Sequence, residues 1–181
     1  MDRAKAFESR SSKENPPVHL NAGEIIFGRG QREIRTLLGS CISIVLWHPS
    51  QHYCGVCHFA MPEHPRGISD NKLDARYADH CMELFRRFAE GKQTQLSQYQ
   101  AKIFGGGNML RHFNPPFKMS PEDSYLERVS IGEKNAAAAF SLLMIHQVKI
   151  LVADVGEQCY RKLYIDTQTA EVAVLHRSVG K

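Results

Sequence analysis

The sequence has no run approaching the roughly twenty apolar residues of a membrane-spanning helix. It has no lysine and arginine block either: 23 basic and 19 acidic residues leave a net charge of +4, too small and too dispersed for a nucleic-acid footprint. There is no internal repeat, and with 43% hydrophobic residues the 181-residue chain can bury a real core, which excludes wholesale disorder. The polar stretch from Met1 to His19 lacks the apolar centre of a secretory signal. These absences predict a cytoplasmic protein with reduced thiols, no membrane insertion and no nucleic-acid partner.

What is present is an odd set of five cysteines, Cys41, Cys54, Cys57, Cys81 and Cys159, which cannot all pair within one chain. In a reducing compartment each is a packed apolar group, a metal ligand or a nucleophile. Four of the nine histidines fall between His48 and His64, among three of these cysteines.

The pattern predicts a disordered tail over residues 1–17, ending in Pro16-Pro17, and one domain over 18–178. Short strands are expected at Glu24 to Phe27 and Ile34 to Leu38. Ile42 to Trp47, β-branched and nearly all apolar, reads as a buried strand that forms a hairpin with Gly55 to Met61. Tyr77, Cys81, Leu84, Phe85 and Phe88 draw an apolar stripe on a helix from Asp74 to Glu90, closed by Gly91. Ala101 to Phe104 is a strand running into Gly105-Gly106-Gly107-Asn108. Ser130 and Glu133 form a capping box that opens a second helix, with Ala136, Ala139, Phe140, Leu143 and Met144 on one face. The final third reads as strands at Ile150 to Val155, Lys162 to Asp166 and Glu171 to Leu175, the last two joined as a hairpin. The fold class is α/β (α+β): a layered domain of mixed, partly antiparallel sheets with flanking helices.

Three chemistries compete for the cysteine and histidine cluster. Cys54-Gly55-Val56-Cys57-His58 spells the CxxCH of haem attachment, but without a secretory signal and inside an apolar strand. Zinc on Cys54, Cys57, His58 and His64 needs four converging ligands, whereas residues three apart on a strand point to opposite faces. Packing is therefore the reading for Cys54 and Cys57, and also for Cys81 and Cys159. The third chemistry is a thiol nucleophile. Cys41 follows Gly39-Ser40 at a strand entrance, His58 on the partner strand supplies a base, and the amides of Gly39 to Cys41 can hold an oxyanion. His48, His52 and His64 read as solvated loop residues.

Thr36-Leu37-Leu38-Gly39-Ser40-Cys41 and Gly55-Val56-Cys57-His58-Phe59-Ala60-Met61-Pro62 resemble the two signature blocks of the CheD family, the bacterial chemoreceptor glutamine deamidases. Ala101 through Leu110 is similar to that family's glycine block, Ile131-Gly132-Glu133-Lys134-Asn135 to its helix start, and Ala153 to Gly156 with Arg161-Lys162 to its C-terminal strand region. The resemblance implies a cysteine hydrolase with the fold of cytotoxic necrotising factor-type deamidases. It also implies a glutamine of the chemoreceptor's cytoplasmic helices as substrate, a CheC-type phosphatase as possible partner, and no cofactor or metal. By position Cys41 is the nucleophile and His58 the base. Thr36 is the orienting third member, with Arg35 in that place if no gap is allowed. Gly39 and Ser40 serve the oxyanion, and Gly106 and Asn108 form a possible substrate-facing loop. The resemblance leaves room for a regulatory module that binds receptors or the phosphatase with little turnover.

Overall fold

A computed structural model describes residues 16–65, 72–109 and 129–178 in full, and the backbone of 4–8. The strands are β1 (Ala4–Glu8), β2 (Val18–His19), β3 (Glu24–Arg29), β4 (Glu33–Leu38), β5 (Ile42–Trp47), β6 (Tyr53–Phe59), β7 (Gln100–Gly105), β8 (Lys149–Val155), β9 (Cys159–Asp166) and β10 (Val172–Ser178). Two helices, α1 (Ala78–Gly91) and α2 (Ile131–Ile145), flank β7 in the chain.

The strands divide into a six-stranded sheet, ordered β1-β3-β6-β5-β7-β8, and a four-stranded sheet, ordered β10-β9-β4-β2. Both are mixed. β5 runs antiparallel to β6 and β7, whereas β7 with β8, β1 with β3, and β2 with β4 are parallel. The expected hairpins of β5 with β6 and β9 with β10 are both present. The strand at Ala4–Glu8 corrects the tail reading: its five residues pair with β3 as the edge of the larger sheet.

Side-chain alternation explains the layering. Ile42, Ile44 and Leu46 of β5, with Cys57 and Phe59 of β6, pack against Cys81, Met82 and Phe85 of α1 and Ala139 and Leu143 of α2. The intervening residues Val45, Cys54 and Val56 point the other way, onto Ile34 and Leu38 of β4 and Leu163 and Ile165 of β9. The larger sheet is thus buried on both faces, helices on one side and the smaller sheet on the other. That is why β5 and β6 read as continuous apolar runs.

Both helices differ in detail from the sequence pattern. α1 begins at Ala78, four residues after Asp74, because the segment before it is tied to the end of β6: the Ala60 and Met61 N–H groups donate to the Arg76 carbonyl at 3.0 Å. On α2 the Ser130 cap holds as expected, its hydroxyl accepting from the Glu133 N–H at 3.2 Å. The buried stripe, however, is Gly132, Asn135, Ala139 and Leu143, and Met144 is exposed.

Candidate active site

Cys41 lies between β4 and β5, at the mouth of the layer between the two sheets. It is half-buried and packs against the inter-sheet cluster. Ser43, two residues further, faces His58 directly across the β5–β6 ladder. Residues two apart on a strand share a face, so Cys41, Ser43 and His58 all point into the same layer. Thr36 enters it from β4 of the smaller sheet, beside the register partner Leu163. The structure therefore joins Thr36 of β4 to His58 of β6, and places Cys41, on the segment between β4 and β5, against the same layer.

Hydrogen bonding fixes the proton on the histidine. The Thr36 hydroxyl donates to the Leu20 carbonyl at 2.7 Å, which uses its only hydrogen. Thr36 Oγ1 also lies 2.9 Å from His58 Nδ1, and the hydroxyl can only accept there. The second neighbour of Nδ1 is the same Leu20 carbonyl at 3.4 Å, again an acceptor. Nδ1 therefore carries the proton, and in the neutral ring Nε2 holds the free lone pair. Nε2 is buried and has no hydrogen-bond partner among the described residues.

Arg35, the alternative to Thr36, points away from the site: it pairs with Glu33 and lies over the Tyr164 ring, 5.4 Å from its centroid. Of the two, Thr36 is the one that reaches the His58 ring. Burial lowers the His58 pKa below its ordinary 6.5, opposed by smaller upward pulls from the Leu20 carbonyl and Glu24. Burial raises the Cys41 thiol above its ordinary 9.0. Both shifts favour the uncharged forms, a neutral thiol at Cys41 and a neutral imidazole at His58.

The turn carrying Cys41 is held by its carbonyls. The Gly107 N–H donates to the Gly39 carbonyl at 2.7 Å, and the Gly106 N–H to the Cys41 carbonyl at 2.8 Å. Gly105 has a φ of +113°, and a Cβ there would fall 2.1 Å from the Cys41 carbonyl oxygen, so only glycine fits. The glycine block is thus a clamp on the turn that carries Cys41. Gly106 itself is buried beneath α2, against the Gly132 carbonyl, rather than facing outward. Asn108 is half-buried, and its N–H donates to the Glu157 carbonyl at 2.7 Å.

The remaining cysteines are free and buried. Cys54 and Cys57 belong to clusters on opposite faces of the larger sheet, so they cannot converge on one ligand. His48 departs from its solvated reading: it is buried, its Nδ1 accepts from the Gln51 N–H at 3.1 Å, and its ring meets Tyr99 edge-on. His64 likewise stacks on His80, with ring centroids 4.6 Å apart. His52 is exposed, as expected.

Sequence reasoning passed over two polar residues. Ser43 Oγ is buried with no hydrogen-bond partner among the described residues and shares the face of Cys41 and His58. Asn135 is fully buried on α2 and donates from Nδ2 to the Ser40 carbonyl at 3.0 Å and the Ala60 carbonyl at 2.9 Å. The available signal was the same for both: one polar residue at a core position of an apolar element.

Among known proteins, the family pattern described as CheD chemotactic sensory transduction matches residues 60–176. A Pseudomonas syringae pv. tomato protein named "Probable chemoreceptor glutamine deamidase CheD" is 34% identical over 162 residues, covering 90% of this chain and 90% of that protein. A Dechloromonas aromatica protein named "Probable chemoreceptor glutamine deamidase CheD 3" is 37% identical over 164 residues, covering 91% and 89%. Of solved structures, the Bacillus licheniformis hypothetical protein YfiH aligns with 73% of this chain and 51% of its own, at 12% identity and a TM-score of 0.41.

Proposed function

Because the chain belongs to the CheD family, we propose that it is a cysteine-dependent protein-glutamine deamidase acting in the cytoplasm on chemoreceptor helices. The observation that carries this reading is the proton arrangement at His58. Thr36 and Leu20 hold the Nδ1 proton, which leaves a basic Nε2 in the layer that Cys41 enters. No described helix is long and apolar enough to cross a membrane, which is compatible with that setting.

The steps follow from these groups. As a glutamine side chain enters, Nε2 takes the Cys41 proton and the thiolate attacks the carboxamide carbon. Charge develops on the carboxamide oxygen, where amides of the Gly39 to Cys41 turn receive it, each such donor being worth about 3 kcal/mol. The tetrahedral adduct collapses with loss of the C–N bond, and the His58 imidazolium gives its proton to the departing ammonia. A thioester on Cys41 remains. Neutral His58 then takes a proton from water, whose oxygen attacks the thioester carbon, and returns the proton to sulfur. Glutamine has become glutamate, the charge of a receptor helix has changed by one unit, and a methylatable carboxylate has been created.

The same reading includes a CheC-type phosphatase as a docking partner. Purified protein mixed with a receptor cytoplasmic fragment is expected to release ammonia, and Cys41→Ala and His58→Ala to release none. Release by Cys41→Ala at the wild-type rate would remove the mechanism. Receptor binding with no release by the wild type would leave a regulatory module in its place.

A further inference from the structure

His58 belongs to β6 and Cys41 to the segment just before β5, and the ladder that relates the two strands stops before it reaches Cys41. The last β5–β6 pair at that end is Ile42 with Phe59. Ser40 and Cys41 lie beyond it on one side, Ala60 and Met61 on the other. Asn135 of α2 spans this gap. Its Nδ2 donates one hydrogen to the Ser40 carbonyl, at 3.0 Å, and the other to the Ala60 carbonyl, at 2.9 Å.

The amide orientation follows from chemistry. The reverse placement would set Oδ1 against two carbonyl oxygens with no hydrogen between them. In the orientation present, Oδ1 is the buried atom without a hydrogen-bond partner among the described residues. An unpaired buried acceptor destabilises a fold, so packing alone gives no reason for asparagine at this position of the α2 stripe. Two donors aimed at two carbonyls do give one. With Gly107 and Gly106, Asn135 completes a series in which three successive carbonyls, those of Gly39, Ser40 and Cys41, each accept a hydrogen bond.

We propose that Asn135 is a positioning residue that sets the Cys41 turn against the His58 strand, acting as the rung the β5–β6 ladder lacks at its catalytic end. It does not touch the reacting atoms. It fixes the peptide before the nucleophile relative to the strand end two residues past the base, and so the distance over which the proton moves. Only the turnover part of this inference rests on the proposed deamidase reading; the placement of the thiol does not.

The test uses Asn135→Asp, which keeps the shape, removes both donors and turns carboxylate oxygens toward the two carbonyls. A second variant, Leu143→Ala, opens the same buried stripe of α2 away from the turn and serves as the control for a merely structural effect. Iodoacetamide alkylation of Cys41, followed by mass spectrometry across pH, reads the thiol directly and requires no substrate. The midpoint is expected to move to higher pH in Asn135→Asp and to stay in place in Leu143→Ala. On a receptor fragment, kcat is expected to fall about 100-fold in Asn135→Asp, the usual scale for a reacting group displaced by about 1 Å, with KM little changed. If Asn135→Asp does not fold, Asn135→Ser, which keeps one short donor, carries the same comparison. An alkylation profile unchanged in a folded Asn135 variant, or shifted equally in Leu143→Ala, overturns the proposal. Absence of deamidation by the wild type would leave the alkylation comparison intact, so the two readings fail separately.

Discussion

The hydroxyl of Thr36 has one hydrogen, and its use on Leu20 determines which nitrogen of His58 is basic. Thr36→Val keeps the volume but removes both the acceptor for Nδ1–H and the donor to Leu20. We expect turnover to fall about tenfold to a hundredfold through loss of ring orientation, and stability to fall by about 1 kcal/mol through loss of the Thr36 bond to the Leu20 carbonyl, which keeps His58 Nδ1 at 3.4 Å. Thr36→Ser should restore most of both, and steady-state kinetics with thermal melts separates the two effects. The sequence singled out Cys41 and His58 as candidates, since a thiol behind Gly39-Ser40 and a histidine on a hairpin partner are local features. It left Thr36 and Arg35 as alternatives, because counting residues cannot say which of two strand neighbours faces inward. The alternation of β4 turns Thr36 inward, 2.9 Å from His58 Nδ1, and leaves Arg35 paired to Glu33. The pKa directions have a consequence as well. Thiolate is the reactive form and burial raises the Cys41 pKa, so alkylation at Cys41 should climb with pH to a midpoint above the ordinary 9.0.

At the scale of elements, the start of α2 rests on the glycine block that clamps the Cys41 turn. A Cβ on Gly132 would fall 2.4 Å from the Gly106 carbonyl oxygen, a backbone atom that cannot rotate aside. Alanine in place of glycine favours a helix by about 1 kcal/mol, but here the contact should outweigh it. Gly132→Ala is therefore expected to lower the melting temperature and turnover together; a raised melting temperature with full activity would show that α2 does not bear on the turn. Strands and hairpins were legible because β-branched runs and turn residues are local signals, as in Ile42–Trp47. The face of α2 was not. Ala136 through Ala139 blur the helical period, and nothing local shows that Asn135 is held inward by two carbonyls. The Asp74 start of α1 failed for a similar reason: a long-range tie to β6 overrode the local pattern.

Across the whole molecule, the three layers give the five cysteines very different access. Cys54, Cys57 and Cys81 are 0% exposed and Cys159 is 5% exposed, while Cys41 is half-buried. Native protein treated with iodoacetamide at alkaline pH should be modified at Cys41 alone, and unfolded protein at all five positions. Rapid native labelling of Cys54 or Cys57 would contradict the packing described for β6. The division into two sheets lay beyond the sequence, because nothing local says that β4 leaves its neighbour β5 to pair with β9, more than 120 residues away. The central claim is that Cys41 turns a receptor glutamine into glutamate. Its most direct test is the peptide mass map of a receptor cytoplasmic fragment after incubation with wild type and with Cys41→Ala. The account predicts glutamine-to-glutamate mass shifts at defined receptor positions with the wild type and none with the variant; the same shifts from Cys41→Ala would contradict it.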